Sequence, residues 1–159
     1  MAALLGMKNE QTQRENIIFH QTLLMLTWMV FVIFLVLPVE VDIRSSVLEA
    51  ELGFWQPWYD NLYAVDTPWN AWPSLHIVQS LLAVLVVSRW HNSEDYRWRI
   101  RLLWLAWFML TISVMATKQH FVWDVVTGIV VATAAWKYWI LPSLDNCQSQ
   151  QTIGKFAAL

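Results

Sequence analysis

The sequence predicts an all-α integral membrane protein: a four-helix bundle with both termini cytoplasmic and a short interfacial helix in its outer loop. Three observations predict it. The 159 residues are 57% hydrophobic and 14% charged, against about 45–50% and about 25% in soluble domains. The apolar residues gather into long runs with few charges, as bilayer spans do. Many of the 12 Trp, with several Tyr, stand at the ends of those runs, the pattern of an interfacial aromatic belt.

The first run is Ile17 to Leu37, long enough to cross one hydrocarbon core and followed by Pro38, which suits a helix stop. Glu10 and Glu15 ahead of it, its length and the lack of a small-residue cleavage site make it a span rather than a signal peptide. The second run is Leu75 to Trp90 and the third Leu102 to Thr117. Both are short, with Arg89, Arg99 and Arg101 able to snorkel at their ends. The fourth is Phe121 to Leu141, expected to stop before Pro142. This gives an N-terminal cytoplasmic segment 1–16, a membrane domain 17–141 and a cytoplasmic tail 142–159.

Charge sets the orientation. With four spans, Lys8, Arg14, Arg89, Arg97, Arg99, Arg101, Lys137 and Lys155 fall on one side, and only Arg44 and Lys118 on the other. By the positive-inside rule the termini are cytoplasmic, and the segment 38–73 and the turn 117–120 lie outside. In that outer segment, Ile43 to Phe54 reads either as an amphipathic helix on the membrane surface, with Arg44, Glu49 and Glu51 facing water, or as a solvated loop with aromatics at headgroup level. The net charge of −2 offers nothing to nucleic acid, and Cys147 alone provides neither a disulfide framework nor a zinc cluster.

The chemistry-bearing residues collect at the outer helix ends. The second span opens with Asn70-Ala-Trp-Pro73-Ser74-Leu75-His76 and the fourth with Thr117-Lys118-Gln119-His120-Phe121-Val122-Trp123-Asp124. Both N-termini lie at similar depth, and a helix N-terminus suits a phosphate because its N–H groups are unpaired and its dipole is positive. Pro73 and Ser74 fit a helix start. His120 and Asp124 share a helix face, and a carboxylate one turn into an apolar run needs a partner. Asp124 paired with His120 would fix the ring tautomer and leave the other nitrogen to attack. His76, from another helix, is placed to act as acid and then base. Lys118 supplies a cation. The plain alternative is that these are interfacial polar residues with no catalytic task. His20 and His91 lie away from this end and carry no functional reading.

Pro73-Ser74-Leu75-His76 resembles the second signature of the type 2 phosphatidic acid phosphatase superfamily, and His120-x-x-x-Asp124 followed by Gly128 resembles the end of the third. The Leu75 variant, with Asp66-Thr67-Pro68-x-Asn70 ahead of it, is similar to the branch holding inositol phosphorylceramide synthase and small bacterial homologues. The resemblance covers roughly residues 60–130. It implies a lipid phosphatase or lipid phosphotransferase in which His120 forms a phosphohistidine, Asp124 orients it and His76 moves the proton. Ser74, Leu75, Asn70, Asp66 and Lys118 would bind the substrate phosphate. It further implies no metal or other cofactor, a phospholipid or polyprenyl phosphate as substrate, and a bacterial inner-membrane setting with the site facing the periplasm.

The sequence departs from that pattern in its cations. The first signature, a Lys six residues before Arg-Pro, is absent, and Val114 stands where the third signature has arginine. Lys118, or Arg44 more remotely, would have to substitute. The family core also has six spans, two more than this chain. These departures support three further readings: a less charged phosphate such as a diester, a homo-oligomeric site, or a non-catalytic relative retained for assembly. From a different class, His76 and His120 facing each other across a bundle could ligate a b-type haem.

Overall fold

A computed structural model describes residues 10–44, 47, 49–66 and 68–147. Residues 1–9, 45, 46, 48, 67 and 148–159, and with them the expectations for Lys8, Lys155 and most of the tail, lie outside the described residues. The described chain is helical, with one isolated bridge between Glu40 and Trp69. Its helices are α1 (Glu10–Val36), α2 (Gln56–Val65), α3 (Leu75–Trp90), α4 (Arg97–Ala116) and α5 (Val122–Ala135). A π-helical turn, Trp136–Ile140, carries α5 onward.

Three stretches are long and apolar enough to cross a membrane: Thr12–Val36, Glu94–Ala116 and Val122–Cys147. The fourth expected span, α3, is apolar but has 16 residues, about 24 Å of helix. That is less than the roughly 30 Å of a hydrocarbon core. Protein rather than lipid surrounds it, for α3 packs against α1, α4 and, most extensively, α5. The core joins Phe19 and Leu26 of α1 to Val78, Leu81, Leu82 and Val86 of α3 and to Ala132, Ile140 and Leu144. In contrast, only 11% of the apolar window of α4 is buried. Leu102, Leu105, Phe108, Met109 and Ile112 point outward, a surface that suits lipid as its solvent.

The last helix does not stop before Pro142; it continues to Cys147. Proline removes one backbone donor and crowds the carbonyl four residues back, and the wider π turn immediately before it accommodates that fault. The continuation is favoured because Ile140 and Leu144 are fully buried on one face. Beyond Leu144, Asp145 reaches Arg89 at 2.8 Å. Arg89 therefore does more than snorkel: it also lies 3.6 Å from the buried Glu15, which accepts the Trp90 indole N–H at 2.9 Å.

The outer segment differs from its expected form. Its regular helix is α2, which starts at Gln56 rather than at Ile43; the described part of 43–54 holds the short 3₁₀ turns Asp42–Arg44 and Gly53–Trp55, with Val47 helical between them. Gly53 at φ +52° interrupts a regular helix there, and Pro57 sits in the first turn of α2, where its missing N–H does no harm. Arg44 does not face water but is buried. The cause is a tertiary contact: Val41 N–H donates to the Pro68 carbonyl and Ala71 N–H to the Val39 carbonyl. This clasp folds the chain after α1 back onto the chain before α3 and sets Arg44 against Asp66.

Candidate active site

The site is built where α3 and α5 begin. Ser74 is the N-cap residue of α3 with an extended backbone, and its N–H donates to the Asp124 carbonyl at 3.2 Å. The two helix starts are thus tied by a direct backbone bond. Close approach continues below it, since a Cβ on Gly128 would lie 3.0 Å from the Ser74 carbonyl oxygen and 3.1 Å from Ile77 Cβ. The Ser74 hydroxyl makes no capping bond and is buried without a hydrogen-bond partner.

The turn that delivers His120 is a helix C-terminus. Lys118 N–H donates to the Met115 carbonyl and Gln119 N–H to the Val114 carbonyl, with Lys118 in the left-handed region at φ 52°. This is a Schellman arrangement with lysine where glycine is usual. Such a residue carries a strain of order 1 kcal/mol or more. Tyr63 of α2 braces the turn by donating its hydroxyl to the Thr117 carbonyl at 2.8 Å. Burial raises the Tyr63 pKa, partly offset by nearby Arg44, so the phenol remains a donor.

Reversal of the chain at Lys118 sends Gln119 and His120 inward, and both are buried. His120 Nε2 lies 3.4 Å from His76 Nδ1, with the rings edge to face. His120 Nδ1 points the opposite way, 3.6 Å from Asp124 Oδ2. That is an electrostatic contact but too long for a hydrogen bond, and Nδ1 has no hydrogen-bond partner in this state. The same Asp124 oxygen accepts the Phe121 N–H at 2.9 Å, closing the first turn of α5. Burial pushes the His120 pKa below its ordinary value and His76 pushes it further; the Asp124 and Asp66 carboxylates oppose both.

The histidine pair opens on a cavity of about 430 Å³. Its floor holds Arg44, Asp66, Asn70, Leu75, His76, Gln119 and His120, and its apolar wall is Trp28, Phe31, Phe34 and Leu35 of α1. Of the residues singled out from the sequence, Asp66, Asn70, Leu75, His76 and His120 share this cavity. Ser74 and Asp124 stand directly behind it. Lys118 lies in the adjoining turn and is not part of the cavity wall. Two polar residues carry more of the site than the sequence suggested. Arg44, at first only a remote substitute cation, is 6% exposed and donates to both the backbone and the carboxylate of Asp66. Gln119 was missed; its side-chain amide donates to Asp66 at 2.8 Å. Its only signal was its place beside His120.

Val114, at the position where the related signature has arginine, is buried in α4. No curated protein and no solved structure matches the chain. The family model described as the PAP2 superfamily matches residues 1–138. That match spans most of the sequence, including α1 and the outer segment as well as the two histidine signatures, so the chain belongs to the PAP2 superfamily, the type 2 phosphatidic acid phosphatases.

Proposed function

We propose that this protein is a lipid phosphatase or lipid phosphotransferase that works through a phosphohistidine at the outer membrane face. The observation that carries the reading is the His76–His120 pair lining one cavity, with Asp124 behind His120 and the starts of α3 and α5 joined by the Ser74–Asp124 backbone bond. Membership of the PAP2 superfamily supports phosphoryl chemistry as the reaction type.

In this mechanism His120 Nε2 attacks phosphorus in line. The bond to the leaving oxygen breaks, and that oxygen takes its proton from His76. Water or an acceptor hydroxyl then gives its proton to His76 and attacks phosphorus, and the nitrogen–phosphorus bond breaks. The two rings are suited to different tasks. Buried His120 is kept neutral, as a nucleophile must be, whereas His76 is exposed and can exchange protons with solvent. Asp124, facing Nδ1, stabilises the positive charge that develops on the ring as Nε2 attacks, and its contact is expected to tighten when the substrate binds.

A lipid substrate fits the cavity wall. Trp28 and Leu35 line the cavity and are 63% and 84% exposed on the outer surface of α1. A hydrocarbon chain can therefore reach the wall sideways from the bilayer while the phosphate meets the polar floor. We place α3 as a fourth, protein-sheathed crossing with both termini cytoplasmic, on the charge asymmetry of the sequence. The branch containing inositol phosphorylceramide synthase is the one whose signature the Leu75 variant favours.

The test is phosphate release from a panel of lipid phosphates in detergent with chelator present, comparing wild type with His120→Ala. Release that survives chelator and falls at least about 10³-fold in the variant supports the mechanism. Undiminished release from a folded His120→Ala protein would sink it. Activity that appears only when an acceptor alcohol is added would assign the protein as a transferase.

A further inference from the structure

We propose that Arg44 is the residue that grips the phosphoryl oxygens, and that Asp66 is a built-in placeholder which the substrate anion displaces from it. The nature of the anion rests on the phosphoryl-transfer reading; the placeholder relation rests on geometry. Arg44 is almost fully buried and lines the same cavity as both histidines. Nη1 donates to the Asp66 carbonyl and Nη2 to Asp66 Oδ2 at 2.9 Å, while Nε is buried with no hydrogen-bond partner. The Tyr63 ring supports the guanidinium carbon from one side at 5.0 Å. A planar fork of donors held in this way matches the geometry of two phosphoryl oxygens.

A purely structural pairing explains less. Bracing the outer segment is already the task of the Val41–Pro68 and Ala71–Val39 backbone bonds. A brace also has no need to face a cavity or to leave a buried N–H unused, an arrangement that costs about 1–3 kcal/mol. Asp66 is prepared for exchange because the oxygen that accepts from Arg44 also accepts from Gln119 at 2.8 Å. When a phosphoryl group takes over the Arg44 donors, the carboxylate keeps the Gln119 amide and a partly exposed position, 28% for the side chain. Gln119 immediately precedes His120, and both line the cavity with Arg44 and Asp66, so the exchange takes place within the cavity that holds the attacking nitrogen. The cation thus comes from the outer segment, in a chain with Val114 at the third-signature arginine position.

The experiment is titration of inorganic phosphate into the full-length protein in detergent micelles, followed by isothermal calorimetry. Wild type, Arg44→Gln, Arg44→Lys and Asp66→Asn are compared, with folding checked by thermal melting. We expect Arg44→Gln to bind at least tenfold more weakly, Arg44→Lys to fall between it and wild type, and Asp66→Asn to bind at least threefold more tightly. Opposite shifts on the two sides of one ion pair are the signature of a placeholder. Weakening in both, wild-type affinity in Arg44→Gln, or no phosphate binding in wild type and Asp66→Asn alike would overturn the proposal. If Arg44→Gln does not fold, the directions shown by Arg44→Lys and Asp66→Asn decide in the same way. No turnover is involved, so undiminished release from His120→Ala would leave this result standing, and a failure here leaves His120-dependent turnover standing.

Discussion

His120 Nε2 lies 3.4 Å from His76 Nδ1, across 44 residues of sequence, because the chain reverses at Lys118 and because Ser74 and Asp124 join the starts of two helices. In the proposed mechanism these are the nucleophile and the proton carrier, and their contact sets the pH response expected of the site.

The acidic limb of kcat/KM is expected below the ordinary histidine value of about 6.5, since burial and then His76 lower the His120 pKa. Asp124→Asn removes a charge that opposes this shift, so the limb moves to still lower pH. The sign for stability follows. A histidine with a lowered folded pKa binds its proton more readily when unfolded, so stability is lost as pH falls from about 6.5 through the folded value. A pH–rate profile of both proteins, with melting curves between pH 4 and 8, checks it. A limb that stays in place in Asp124→Asn would contradict the assigned contact.

Asp124 makes two contacts, with the Phe121 N–H and with His120, that substitution can separate. Asparagine keeps an oxygen for the Phe121 N–H, now accepted by Oδ2 at 2.9 Å, whereas alanine does not. Asp124→Ala should be less stable than Asp124→Asn by about 1 kcal/mol, the usual value of such a cap. Both should lose at least tenfold in turnover, since neither carries the charge that faces His120. Thermal melts and initial rates on the two variants measure this, and full turnover in Asp124→Asn would remove the orienting role.

Gly128→Ala tests the approach of α3 to α5. Its new methyl meets the Ser74 carbonyl oxygen at 3.0 Å and Ile77 Cβ at 3.1 Å, and a backbone carbonyl already bonded to Val78 N–H has little room to give. We expect a loss of about 1–3 kcal/mol, the range for overpacking. Turnover should drop beyond what the lost stability explains, because Ser74 carries His76. Wild-type melting behaviour and activity would show that the helices separate freely.

Much of this was legible in the chain itself. The start of α3 at Leu75 and of α5 at Val122, the apolar runs and the His120–Asp124 spacing all follow from local rules: helix-start chemistry, the 3.6-residue repeat and the exclusion of charge from lipid. Those rules act over a few residues, so a single sequence displays them. What lay beyond them depended on contacts between distant segments. Only the tertiary structure carried the last helix past Pro142, because the burial of Ile140 and Leu144 outweighs a local stop signal. Only it took Arg44 out of a surface helix and set it against Asp66, through a clasp between residues 39–41 and 68–71. Gln119 and Arg44 show no periodicity or motif that announces a shared carboxylate. The reason is physical: the desolvation of a buried charge is relieved by whichever partner the fold brings within reach, and that partner is 22 residues away for Arg44 and 53 for Gln119.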